Sequence, residues 1–205
     1  MIIVRSMFLC EDHYVDFRAE NIMELSVQLF NGKQDELEKA EIAFSFVRDE
    51  IPHSFDMEAG IITARASDVL KYQTGICHAK ANLLCALMRA AGIPAGFCYE
   101  HITLADDDSL GYCLHCYNAV YVDNRWIMLD ARGNKPGVNA QFSPDKPVLA
   151  YPPRRGYDEY LIEGIYAKPH QETMEMLEQA DNLQDIIDNI PEFLTAVPDI
   201  LCEGQ

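Results

Sequence analysis

The chain has 205 residues, 49% of them hydrophobic, enough apolar material for one domain that builds its own core without metal or disulfide staples. Its 33 acidic residues against 16 basic ones give a formal charge of −17. That excess excludes a nucleic-acid partner, whose phosphates must be met by Lys and Arg, and an anionic membrane surface; it speaks of solubility and not of a particular substrate.

At the N-terminus the run from Met1 to Cys10 has no basic leader and is interrupted by Arg5, so no export signal is expected. No apolar stretch approaches the ~20 residues of a membrane span. The seven cysteines are an odd number scattered among apolar neighbours. They fit free thiols in a reducing, cytoplasmic setting better than a disulfide framework, and no cofactor or metal is expected. Ile22, Leu25 and Leu29 recur at helical spacing, as do Leu37, Ala40, Phe44, Val47 and Ile51, with Asn31-Gly32 as the turn between them and Pro52 as the stop. Ser67 reads as the N-cap of a short helix over 68–72.

The strongest helical pattern follows Thr74-Gly75-Ile76-Cys77-His78. Ala79, Leu83, Leu87 and Ala90 form one stripe beside Leu84, Met88 and Ala91, and Gly92-Ile93-Pro94 forbids continuation. So much Ala and Leu predicts a helix buried on most of its circumference. Strand patterns come next, over 95–104, 114–122 and 125–131, the last two forming a hairpin around Asp123-Asn124. Residues 134–153 read as loop, 161–167 as another strand, and from His170 onward Met174, Leu177, Leu183, Ile186, Ile187 and Ile190 restore helical spacing in an acidic tail.

Three positions carry chemistry. Cys77 falls at a helix N-terminus behind a glycine, where free N–H groups and the helix dipole stabilise a thiolate and can receive an oxyanion. Gly75 would permit the tight approach to that helix. Taken alone, the cysteine reads equally as a small buried hydrophobe. The hairpin adds to it. If Asp123-Asn124 is a two-residue turn, Val122 pairs with Arg125, and His115 and Asp130 lie on one sheet face as diagonal neighbours, within side-chain reach. A carboxylate facing an imidazole fixes its tautomer and supports an imidazolium, which in turn supports a thiolate; a structural His–Asp pair is the plainer alternative.

In this order the residues resemble the transglutaminase-like cysteine enzyme superfamily. Gly75, Cys77, Leu83, Leu84, Leu87, Arg89, Gly92, Ile93 and Pro94 match its Gly-x-Cys helix and Gly-Ile-Pro stop. His115, Tyr117, Asn118, Val120, Trp126 and Asp130 match its His-x-aromatic-Asn strand, Trp and Asp. The resemblance covers about 47–132 and implies a papain-like α+β fold with a nucleophile helix packed on an antiparallel sheet; 1–205 reads as one such domain, and the acidic helical tail over 170–205 reads from its own spacing and charge as a cap. The resemblance implies Cys77 as nucleophile, His115 as general base and then acid, and Asp130 as the orienting carboxylate. His53 is its candidate for a second oxyanion donor beside the Cys77 N–H, with Gln73 next. The reaction implied is acyl transfer through a thioester on a peptide or other amide. Hydrolysis leads, amine transfer to protein glutamine follows, and a non-enzymatic scaffold of the same fold is the third reading.

Three other signals are weaker. Cys113-x-x-Cys116 lacks the second ligand pair a structural zinc needs, and within a strand the two positions face opposite ways. His78 is expected to point about a quarter-turn away from Cys77 around the helix. Asp106-Asp107-Asp108 lacks the Gly and Glu of a calcium loop and reads as a solvated turn.

Overall fold

The computed structural model describes residues 2–105 and 107–201. After α1 (Ile2–Met7), the helices α2 (Glu20–Phe30), α3 (Glu36–Glu50) and α4 (Ala66–Tyr72) surround α5 (Cys77–Ala90). The four strands β1 (Ala95–Thr103), β2 (Tyr112–Val122), β3 (Arg125–Leu129) and β4 (Tyr160–Tyr166) form an antiparallel sheet in the order β3-β2-β1-β4. Then come α6 (Gln171–Gln179) and α7 (Leu183–Asn189).

Asp35 caps α3 by accepting the Glu38 N–H at 2.8 Å, and the helix stops at Ile51, ahead of Pro52. At the end of α5, Gly92 takes φ +77, its N–H reaches Arg89 O at 3.0 Å, and the Ile93 N–H reaches Met88 O at 2.9 Å. Every residue from Cys77 to Arg89 is buried, so the polar ones need internal partners. Asn82 donates to Ala64 O at 2.7 Å, and Arg89 binds the carbonyls of Cys10, Ala95 and Ala167. Sequence-distant segments are thereby fastened to one helix.

The pattern β1 Phe97-Cys98-Tyr99 alternates between two cores. Phe97 and Tyr99 join Phe44, Val47, Leu83 and Leu87 in the helix-side cluster, whereas Cys98 joins Phe8, Tyr117 and Met128 on the far face. Asn118 stitches the layers, donating to Ala81 O and Gly96 O, each at 3.1 Å. Gly96 leaves no room for a side chain: a Cβ there would lie 2.7 Å from Tyr166 O and 2.8 Å from the Phe8 ring. Gly96→Ala is therefore expected to cost about 1–3 kcal/mol through overpacking. A lower urea midpoint at unchanged m-value would show it, and an unchanged midpoint would refute it.

The hairpin has the expected two-residue turn. Asp123 and Asn124 take φ +51 and +62, as a type I′ turn requires, and Val122 pairs with Arg125. Two expectations shift. Helix α4 starts one residue after Arg65, and Ser67 lies inside its first turn. The capping carboxylate is Asp16 instead, which accepts from Ser67 N at 3.1 Å, Ser67 Oγ at 2.5 Å and Arg65 at 2.8 Å. The tail is helical only to Asn189. Pro191 and Pro198 break the pattern, and the chain continues as an irregular segment, with Pro191 O accepting from Leu114 N and Ile200 bridging to Ile165.

Candidate active site

The approach to α5 is pinned before the helix begins. His53 and Gly75 form a parallel bridge, the Ser54 N–H donates to Gly75 O at 3.2 Å, and the Thr63 hydroxyl donates to Thr74 O at 2.8 Å. Gly75 serves by its size and not by a positive φ: a Cβ would sit 3.1 Å from Ala79 Cβ and 3.3 Å from Thr63 Oγ1. Cys77 is then the first residue of α5, and the N-cap residue Ile76 offers no side chain to cap the N–H groups of that turn.

Burial alone would raise the Cys77 thiol. The charges of His78 and His115, with hydrogen bonds from His115 and His53, outweigh it and hold the pKa well below the usual thiol range. His115 lies on β2, and its Nε2 is 2.9 Å from Asp130 Oδ2, just beyond β3. Burial would lower His115, but Asp130 and the Cys77 sulfur hold it well above an ordinary histidine, each by charge and by hydrogen bond. With Nε2 occupied by Asp130, Nδ1 is the nitrogen left for the sulfur. Asp130 itself is saturated: Oδ2 also accepts the Ala150 N–H at 2.8 Å, and Oδ1 accepts the Arg132 N–H at 3.1 Å. The ring of Tyr151 stands edge-on to His115, their centroids 5.2 Å apart.

His53 is also brought in. Its Nε2 accepts the Cys77 N–H at 3.1 Å, and burial, only partly offset by the hydrogen bond with Cys77, lowers its pKa, so the ring is neutral at neutral pH. Gln73 is not brought in; it sits exposed and left-handed at the C-cap of α4. His78 departs from expectation, with its Nδ1 3.3 Å from Cys77 Sγ. Side chains lean back toward a helix's N-terminus, which at the first turn brings neighbours together despite their angular separation. Its Nε2 has no hydrogen-bond partner among the described residues, so no carboxylate orients it as Asp130 orients His115. Cys113 faces the cleft and Cys116 the helix-side core, both as free thiols. Asp107 accepts from Ser109 N at 3.0 Å in an exposed turn; Asp106 lies outside the described residues.

Cys77 and His115 share the wall of a cleft of about 500 Å³ with His53, Phe55, Tyr151 and the 135–138 loop. Asp56 ties its two rims together, accepting from both Nη atoms of Arg132, Nη2 at 2.9 Å, and from Lys135 at 3.0 Å. Partial burial would raise the Asp56 carboxyl, yet these cations bring it down to about 2. Behind the wall, buried Lys80 donates to Ile51 O and lies 3.3 Å from where a Gly133 Cβ would stand; burial, reinforced by Arg132, takes its pKa down to about 7. Glu100 on β1, directly opposite His115, is wholly buried. Sequence patterning missed these groups. Glu100 alone left a trace, as an acid inside the apolar run Phe97-Cys98-Tyr99-Glu100-His101-Ile102. Glu100, His115 and Asp130 are close enough to hold a cation, within 4.8 Å of one another, but the facing His115 and Asp130 atoms are already spent on each other.

A cysteine opening a buried helix, packed against an antiparallel sheet that carries histidine and aspartate, is the architecture of papain-like cysteine enzymes. The chain belongs to the transglutaminase-like superfamily, whose sequence profile matches residues 23–131, just over half of it. No curated protein matches the chain. Among solved structures it is similar to a proposed cysteine protease from Cytophaga hutchinsonii, with 22% identity over 62% of this chain and 42% of that one, at a TM-score of 0.47. It is also similar to the periplasmic domain of TgpA from Pseudomonas aeruginosa, with 17% identity over 64% and 47%, at a TM-score of 0.47. The chain spans less than half the length of either structure.

Proposed function

We propose that the protein is a thiol enzyme that acylates Cys77 with the carbonyl group of a peptide or other amide and passes the acyl group to water. The observation that carries this reading is that Cys77 and His115 line one cleft, with His115 Nε2 2.9 Å from Asp130 Oδ2. The thiolate attacks the carbonyl carbon, and the oxyanion takes the Cys77 N–H, displacing His53 Nε2 from it. Freed of that bond, the neutral His53 ring shifts its proton from Nδ1 to Nε2 and supplies the second donor. His115 gives its Nδ1 proton to the departing amine, leaving a thioester. It then takes a proton from water, whose oxygen attacks the thioester carbon, and the acid leaves as the thiol is restored.

p-Nitrophenyl acetate tests this without knowledge of the natural substrate. A burst of about one nitrophenolate per chain is expected, with the acetyl group mapped to Cys77 and lost in water, and Cys77→Ala should abolish the burst. A burst that survives Cys77→Ala would overturn the reading. An acyl group captured by an added primary amine in preference to water would move the protein to amine transfer.

A further inference from the structure

Glu100 and His115 are directly opposed residues of β1 and β2, and Glu100 Oε1 lies 3.8 Å from His115 Nε2. Asp130 has three hydrogen-bond donors for its carboxylate. Neither Glu100 oxygen has a hydrogen-bond partner among the described residues, although the side chain is wholly buried. An ionised carboxylate in such a place is costly, whereas a neutral carboxyl is tolerable. We propose that Glu100 is a positioning residue for His115: a carboxyl kept protonated while the Cys77–His115 pair works, which on losing its proton fastens His115 in the imidazolium form. The proposal rests on His115 serving Cys77 as described above.

The surroundings favour this behaviour. From β2, Glu100 is faced by His115, Cys113 and Tyr117; from the segment after β3 by Asp130; from just before β4 by Glu159; and from α5 by Cys77. His115 is the single cation of that set. Burial, only partly offset by His115 and reinforced by Asp130, Cys77 and Glu159, pushes the Glu100 pKa up to about 8. His115 must hold a proton beside the thiolate, give it to the leaving group and take another from water, which needs a moderate proton affinity. A second permanent carboxylate at this distance would make the imidazolium too stable to give its proton up. Neutral Glu100 leaves Asp130 as the sole ionised carboxylate beside the ring, and the restriction returns as pH rises.

The test is an NMR titration of the His115 ring in the parent and in Glu100→Gln, which keeps the shape and has no proton to lose. In the parent, His115 should keep its proton as Glu100 ionises near pH 8, because the new carboxylate supports the imidazolium. In Glu100→Gln it should lose its proton about one pH unit or more lower. Identical midpoints, with His115 cationic at pH 7 in both, would overturn the Glu100 inference alone; a neutral His115 at pH 7 in both would overturn the proposed function. If the variant does not fold, carboxyl-carbon NMR of the glutamate-labelled parent decides. One glutamate carboxyl still protonated at pH 7 and titrating near pH 8 is expected; all ionised by pH 6 would refute the proposal.

Discussion

Asp130→Asn is expected to lower kcat/KM by on the order of 10³–10⁴-fold while the protein remains folded. Three donors converge on this carboxylate: His115 Nε2, Ala150 N and Arg132 N. An amide offers one oxygen where the acid offers two, so in either orientation its NH2 group faces a donor. The negative charge that holds the His115 proton is also lost, and with it the counter-charge for the Cys77 thiolate. A urea midpoint close to the parent's would separate the chemical effect from unfolding. A variant that is folded and within tenfold of the parent's rate would make Asp130 merely structural.

Glu100→Gln is expected to stabilise the fold at pH 7 by about 3 kcal/mol and to have little effect at pH 4. The unfolded chain loses the Glu100 proton near 4.5, whereas the native protein keeps it to about 8. Between those values the native state binds more protons than the unfolded one, so this group's contribution falls as pH rises through that window. Glutamine has nothing to lose. The difference in urea midpoint between the two proteins should therefore widen from pH 4 to pH 7, and a difference independent of pH would contradict the assignment. An acid that weakens the fold by this much is the kind of local conflict found where function needs it.

Short-range signals carried most of the fold. The Gly92-Ile93-Pro94 stop, the Asp123-Asn124 turn and the hairpin strands that flank it depend on local dihedral preferences and periodicity, and each is seen as read. The hairpin's even loop put His115 and Asp130 on one face by parity alone. Ser67 misled because the capping carboxylate comes from Asp16, 51 residues away. The tail misled because apolar spacing persisted while Pro191 and Pro198 forbade a helix.

At the candidate site, what sequence could not supply was three-dimensional meeting. That α5 and β2 would bring Cys77 to His115 came from resemblance, since neither pattern requires it. Asp56 and Arg132 are 76 residues apart, and no periodicity links them. Lys80 and the Ile51 carbonyl that receives it in the interior are 29 residues apart, and no local pattern pairs them. His78 was misplaced by angular reasoning that ignored how side chains lean at a first turn.

The central claim is that Cys77 is a thiolate when ordinary cysteines are thiols. Iodoacetamide at pH 6, followed by peptide mapping over all seven cysteines, tests it most directly. A thiol of pKa ~8.5 is roughly 0.3% ionised at pH 6, so a thiolate held well below that range should react on the order of 10²-fold faster. Burial pushes Cys85 and Cys113 up to about 12, which removes them as rivals, and Cys10 is the exposed comparison. Selective, early labelling of Cys77 is the predicted result; labelling of Cys77 no faster than Cys10 would contradict the account.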